Sequence, residues 1–320
     1  NAPMPNINRW ENNKGLPHPH YRKKLAEAFD LSIEELFTQK ERIEERAKPL
    51  QSSLQHSDLL KQHKELIGRD KEIADITHRL NETRSRLFTL TGPPGVGKTH
   101  LALKVAKEVE GAFSDGITYV SLTPVNNAQE VTNAIAQELG IPGAHYIQLE
   151  RVIAALSSQH KLLVLDNFEH LIGEPNENKD ARGVVAALYS QCQRVKILVT
   201  SHEALHLGGL EYVKPLSPLD FPDLDPLPQL DTLSEKYSAV QLFVQRAKER
   251  DGRFALDEKN AFAVSMVCAI LDGLPLALEI AASWISRGYS PERLLEEFQE
   301  ASGLRKFTND DYGIPDRHLS

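Results

Sequence analysis

From Arg86 onward, apolar strand-like runs alternate with helical segments, and that alternation restricts the fold more than any other feature of the chain. Arg86–Thr91 (RLFTLT), Gly116–Thr123 (GITYVSLT), Lys161–Asp166 (KLLVLD) and Val195–Ser201 (VKILVTS) read as strands. Between them Lys98–Glu110, Ala128–Leu139, Leu149–Ser158 and Val184–Cys192 read as helices, with Glu174–Arg182 a polar loop. Strands joined through helices run parallel and are covered on both faces, so they read as near-continuous apolar runs. The expected architecture is therefore an α/β domain with helices on both faces of a parallel sheet.

Pro215, Pro218, Pro222, Pro226 and Pro228 follow the last of these strands. Proline lacks the N–H that ladders and helix interiors need, so this stretch reads as a boundary. Beyond it, Val240, Phe243, Val244 and Ala247 repeat at helical spacing, as do Ala263, Met266, Val267 and Ile270, and Ala277, Ile280, Ala281 and Trp284. With Pro291–Phe298 these stripes predict a small all-α bundle, with Met266 and Trp284 in its core. The expected division is a helical segment over 1–40, a charged helical linker over 41–64, the α/β domain over 65–220, a Pro-rich linker over 221–234, the bundle over 235–310 and a further linker over 311–320.

The 320 residues are 41% hydrophobic and 26% charged, ordinary globular values that exclude wholesale disorder. No apolar run approaches the roughly 18–20 residues of a membrane span. The chain begins at Asn1, without Met or an apolar leader, which reads as an excised piece. Cys192 and Cys268, the two cysteines, are expected to be buried free thiols in a reducing cytoplasm. The net charge of −8 is uneven: residues 1–64 hold 11 Lys and Arg against 9 Asp and Glu, so +2, which leaves −10 for the rest. A nucleic-acid role would sit in the N-terminal piece or in a part of the protein outside this chain.

Gly92-Pro93-Pro94-Gly95-Val96-Gly97-Lys98-Thr99 satisfies G-x-x-x-x-G-K-[ST], between a buried strand and an amphipathic helix. Glycines let the backbone turn its N–H groups onto phosphate oxygens, and the helix start adds its positive end. Lys98 supplies a charge to the β- and γ-phosphates and the Thr99 hydroxyl a ligand for Mg²⁺. Leu162-Leu163-Val164-Leu165-Asp166 ends a buried strand in a carboxylate. An unpaired acid there is costly, and magnesium ligation accounts for it. ATP or ADP with Mg²⁺ is the expected ligand, and His100, next in the helix, joins the expected nucleotide-binding set.

Ile67-Gly68-Arg69-Asp70 precedes the first strand, and Gly273-Leu274-Pro275-Leu276-Ala277 lies within the bundle. Together with the phosphate-binding loop and LLVLDNFEH, these blocks resemble the STAND-class signal-transduction ATPases, the group that includes the NB-ARC domains of plant resistance proteins and apoptotic-protease activators. The likeness is strongest to bacterial regulators of the class and runs from about Leu66 to Ser320. It implies a P-loop NTPase domain, Ile67, Gly68 and Arg69 lining the adenine pocket, and Pro275 and Leu276 contacting nucleotide. It further implies an ATP/ADP switch, signalled through a C-terminal sensor and able to self-associate on activation, with residues 311–320 opening the linker to a winged-helix domain.

Two departures bear on turnover. Many relatives place a second acid directly after the Walker B Asp, where this chain has Asn167; Glu169 is the nearest carboxylate, and a role on the attacking water and a cap or surface role are both open. Relatives also place a γ-phosphate-sensing Arg after the strand ending Leu198-Val199-Thr200-Ser201, where this chain has His202. Lys98, Asp166, Glu169 and His202 are the catalytic candidates, and slow hydrolysis with intact binding is expected.

Ile7-Asn8-Arg9-Trp10-Glu11-Asn12, with Gly15, Pro17, Tyr21, Leu25, Phe29 and Leu36, resembles the second half of a repressor-type helix-turn-helix. DNA contact is expected only through the complete motif in the full-length protein. Three other functions compete with the switch. An AAA-like mechanochemical ATPase predicts brisk turnover, which Asn167 opposes. A small-molecule kinase gives the Gly273–Ala277 block no role, and a plain DNA-binding repressor leaves most of the chain idle.

Overall fold

The computed structural model describes residues 66–81, 85–143, 146–173, 177–285 and 287–302. The helix-turn-helix-like segment, the charged linker and residues 311–320 lie outside them. The described residues up to Ser217 form one compact unit; those from Pro218 form a second, to which Pro93–Val96 is also assigned.

The first unit runs α1 (Asp70–Asn81), β1 (Leu87–Thr91), α2 (Lys98–Glu108), β2 (Ile117–Ser121), α3 (Ala128–Glu138), α4 (Leu149–Leu156), β3 (Leu162–Asp166), α5 (Arg182–Gln191), β4 (Lys196–Thr200) and β5 (Glu211–Pro215). The sheet order is β2-β3-β4-β1-β5, with every pair parallel. β1, β3 and β4 are buried along their whole length, as their apolar runs require. One sheet face packs Leu87, Leu163, Leu165, Ile197 and Val199 with Val131, Ile135, Val152, Leu156, Val185 and Leu188 of α3, α4 and α5. Each fully buried aliphatic side chain is worth roughly 1.5–3 kcal/mol.

Two elements depart from expectation. Pro215, read as the start of a boundary, closes β5, an edge strand paired only with β1. An edge position tolerates proline because the missing N–H would have faced away from the sheet. Helix α1 follows directly on Ile67-Gly68-Arg69 and buries only Ile76 and Leu80, so its apolar stripe is thin. Buried Lys196 on β4 donates to the Leu80 carbonyl at 2.8 Å, satisfying a C-terminal group of α1. α3 opens on a reciprocal cap: Asn127 Oδ1 accepts from the Glu130 N–H at 2.9 Å, and Glu130 Oε2 accepts from the Asn126 N–H at 2.8 Å.

Asp75 ties α1 to β5. Its carboxylate accepts from Lys214 Nζ at 2.9 Å, Arg79 Nε at 2.8 Å and the Tyr212 hydroxyl at 3.1 Å. The Lys214 bond, with Arg79 and Tyr212 assisting against the opposing effect of burial, pulls its pKa from 3.8 to about 2. A depressed acid stabilises the fold above its unfolded pKa and loses that contribution as pH falls through the folded value. Denaturant titrations of the wild type should therefore lose about 1 kcal/mol from this group between pH 4 and pH 2. Asp75→Asn should remove that part of the slope and cost a similar amount at pH 7; an unchanged slope would refute the assignment.

The second unit contains α6 (Leu230–Lys236), α7 (Ser238–Arg250), α8 (Ala261–Ile270), α9 (Pro275–Ile285) and α10 (Pro291–Ser302). The helical stripes fall in α7, α8 and α9, with Val240, Phe243, Ala263, Met266, Val267 and Ala281 buried. Trp284 does not join that core. It is half-buried, like Ala277 and Ile280, with Tyr289 edge-on at 5.0 Å and the Arg287 guanidinium 5.2 Å from its ring, because α9 turns Leu278, Ala281, Ala282 and Ile285 into the core instead of the expected stripe. Arg246 is buried but paired, donating to Glu279 at 2.7 Å and Glu249 at 2.8 Å. Between α8 and α9, Gly273 has φ +61°, and its carbonyl accepts from the Leu219 N–H at 2.9 Å. Cys192 and Cys268 are free and buried, one in each unit. Among the described residues, no helix is long and apolar enough to cross a membrane.

Candidate functional site

Strand order decides which side chains meet at the carboxyl end of the sheet. β1 delivers the loop Gly92–Gly97, and α2 begins at Lys98. β3, which ends in Asp166, is not the neighbour of β1, because β4 lies between them. The Thr99 hydroxyl donates to Asp166 Oδ1 at 2.8 Å, and Thr200, ending the intervening strand, donates to the same oxygen at 2.6 Å. Tyr119 of β2 donates to Asp166 Oδ2 at 2.9 Å. Asp166 is 6% exposed, and three hydroxyl donors meet the demand of its buried charge. Burial first, and then the adjacent Asp166 charge, push the Tyr119 phenol well above its ordinary pKa, so it stays a donor.

The loop backbone needs its glycines. Gly95 has φ +78° and Gly97 φ +97°, left-handed values that L side chains adopt at a cost. Gly97 caps α2, and the helix opens with the Leu101 N–H donating to the Gly97 carbonyl at 2.9 Å. A helix start of this kind turns backbone N–H groups and positive potential toward an anion. Lys98 is 9% exposed, and its Nζ donates to the Gly92 carbonyl at 2.9 Å. Burial lowers its pKa, and the negative charges of Glu169 and Asp166 oppose that drop. His100 follows in the first turn of the same helix.

The pair Thr99–Asp166 suits a hard divalent cation. Both supply oxygen, and the Thr99 lone pairs remain available while its proton points at the carboxylate. One carboxylate and one hydroxyl are few protein ligands, which matches Mg²⁺ sites completed by phosphate oxygens and water.

Beyond Asp166 the chain turns sharply. Asn167 has φ +70°, and its N–H donates to Thr200 Oγ1 at 2.9 Å. Glu169 then starts a short 3-10 turn, Glu169–Leu171, with its Oε1 3.1 Å from His202 Nε2. Burial lowers the His202 pKa from 6.5, against the upward pull of Glu169, so the ring is neutral at pH 7.

Arg69 is 4% exposed and donates to the Ser217 carbonyl at 2.8 Å and to Glu72 at 3.2 Å. Its guanidinium thus pins Ile67-Gly68-Arg69 to the segment after β5. Pro275 is the first residue of α9, and the Leu276 N–H donates to the Gly95 carbonyl at 3.2 Å within the unit that both share. Thr200 and Tyr119 were not singled out from the sequence. Thr200 carried a faint signal as a polar residue closing an apolar run, and Tyr119 none.

The sheet, the glycine loop leading into a helix and the Lys98–Thr99–Asp166 cluster together define a P-loop NTPase domain, and nucleotide binding follows from that class. Residues 81–207 match the family described as an AAA domain. The uncharacterized protein Rv0894 of Mycobacterium tuberculosis strain H37Rv is 31% identical over 233 residues, covering 72% of this chain and 53% of that protein. Rv0890c of the same strain, named as a candidate HTH-type transcriptional regulator, is 31% identical over 222 residues, 69% of this chain and 22% of its own length. The chain thus spans about half of the first relative, 53%, and less of the second. The Walker-type ATPase paby2304 of Pyrococcus abyssi superposes with a TM-score of 0.51 at 15% identity, over 82% of this chain and 78% of that one, a likeness of fold.

Proposed function

We propose that this chain is the nucleotide-switch core of a STAND-class signal-transduction regulator that binds ATP or ADP with Mg²⁺ and hydrolyses slowly. One observation carries the reading. Lys98, Thr99 and Asp166 lie together, which supports nucleotide binding, but the position next to Asp166 holds Asn167, whose side-chain amide takes no proton and whose backbone N–H is committed to Thr200. In this reading Gly92–Thr99 and His100 cradle the phosphates, and Thr99 and Asp166 hold the metal. Ile67, Gly68 and Arg69 shape the adenine side, Arg69 by pinning the loop rather than by touching the base. Roles for Pro275 and Leu276 on the nucleotide are carried over from the resemblance.

The regulator that bears the core works in the cytoplasm, with DNA reached through a complete helix-turn-helix, a signal received by a C-terminal sensor, and self-association on activation. The relative named for HTH-type regulation supports the route to DNA. The match to an AAA domain favours a second reading, an active mechanochemical ATPase. Denaturing the purified protein and chromatographing what it releases separates the two. Near-stoichiometric ADP, with turnover slower than one per minute, is expected for the switch, on the order of the slow intrinsic rates of P-loop switches. An empty protein turning over about once per second or faster, in the range of working enzymes, would overturn it.

A further inference from the structure

We propose that Glu169, two residues beyond the position where an acid is expected, is the catalytic carboxylate that orients the attacking water, and that His202 is its positioning residue. This rests on the switch reading and names the source of its residual hydrolysis.

The path of the chain beyond β3 is the first support. Asn167 adopts a left-handed backbone, a conformation asparagine tolerates better than most residues with a side chain and one that redirects the chain. The Asn167 and Phe168 N–H groups donate to Thr200 Oγ1 and the Thr200 carbonyl, each at 2.9 Å, and the Phe168 side chain is fully buried. The turn is therefore fastened to β4, and it places Glu169, rather than residue 167, beside His202 at the carboxyl end of the sheet.

The second support is an orphaned atom. Glu169 is 18% exposed at its side chain, yet its Oε2 is buried and has no hydrogen-bond partner among the described residues. Leaving a buried carboxylate oxygen without a donor is costly, so a donor supplied by water or ligand is the chemistry the position asks for. The third is electrostatic: the negative charges of Glu169 and Asp166 both oppose the drop that burial imposes on Lys98, so Glu169 shares the surroundings of the group aimed at the phosphates.

His202 completes the device. Its ring stands with Nε2 3.1 Å from Glu169 Oε1, so it occupies that side of the carboxylate and leaves Oε2 as the oxygen that can accept from water. In hydrolysis, the water oxygen attacks the γ-phosphorus as the bond from that phosphorus to the β–γ bridging oxygen breaks. One water proton passes to Glu169 Oε2, the bridging oxygen leaves with ADP, and the proton is then released from Glu169 to phosphate or solvent. The products are ADP and inorganic phosphate.

The test compares wild type with Glu169→Gln, His202→Leu and His202→Gln by fluorescent ATP and ADP binding, single-turnover hydrolysis and chromatography of retained nucleotide. Glu169→Gln should keep both affinities within about 3-fold, lose about 100-fold or more in the hydrolysis step, and retain ATP where the wild type retains ADP. His202→Leu should lose about 10-fold in that step with KM little changed, and His202→Gln, which restores an N–H donor, should recover most of it. Retained nucleotide affinity shows that each variant is folded; should Glu169→Gln fail to fold, the two His202 variants still decide. Hydrolysis at the wild-type rate in Glu169→Gln and His202→Leu overturns the assignment and leaves the switch reading standing. A wild type that binds no nucleotide overturns both.

Discussion

Lys98→Ala is expected to emerge from purification free of nucleotide, with Kd for ATP and ADP raised about 100-fold or more. Lys98 is nearly buried, and its charge is set against Glu169 and Asp166. A desolvated charge that meets phosphate contributes far more than an exposed one. Removing one partner of such a pair costs roughly 3–5 kcal/mol, and every 1.4 kcal/mol is tenfold in affinity. Calorimetric titration in Mg²⁺ buffer measures this directly. Lys98→Arg should not rescue, because a planar fork on a longer stem does not fit where the ammonium now reaches the Gly92 carbonyl at 2.9 Å. Wild-type affinity in Lys98→Ala would remove the loop from the nucleotide site.

Gly273→Ala is expected to unfold or severely loosen the helical unit, at a cost of about 3 kcal/mol or more. A Cβ at Gly273 would lie 2.0 Å from the Leu219 carbonyl oxygen, and φ there is +61°. Left-handed backbone alone costs roughly 1–2 kcal/mol for a residue with a Cβ, and a backbone overlap of this size cannot be relieved by a rotamer change. Relief requires breaking the Leu219–Gly273 hydrogen bond that closes the α8–α9 turn on the segment before α6. Gly288→Ala supplies the control. It has φ +85° but nothing within 4 Å of the added atom, so it should cost only about 1–2 kcal/mol. Chemical denaturation followed by far-UV circular dichroism distinguishes the two; equal losses would show that backbone strain, not the overlap, dominates.

The sequence was most readable where burial was complete. β1, β3 and β4 are buried from end to end, and each showed as an apolar run closed by a polar residue. β5 is bonded on one side only and half-exposed, so Glu211–Pro215 had no apolar periodicity to reveal it. α1 buries two residues and was overshadowed by the motif before it. At the site, Lys98, Thr99 and Asp166 were legible because spacing and residue type carry their chemistry. Thr200 and Tyr119 were not, because they meet Asp166 only through the insertion of β4 between β3 and β1 and the placing of β2 on the far side of β3. The geometry at Asn167 was likewise invisible: asparagine tolerates a left-handed backbone more readily than other residues with a side chain, but only its anchorage on Thr200 fixes that turn here.

The two cysteines give the molecule a built-in pair of clocks. Cys192 closes α5 against the sheet and Cys268 lies inside α8, so each unit owns a single concealed thiol. Burial raises both pKa values, which suppresses the reactive thiolate as well as hiding the sulfur. Modification by a soluble alkylating reagent therefore proceeds through openings of the unit that holds each thiol, and peptide mapping reads the two rates from one sample. Opening of the nucleotide-binding unit and of the helical unit becomes separately measurable in the unmutated chain, under each nucleotide in turn, without any attached probe.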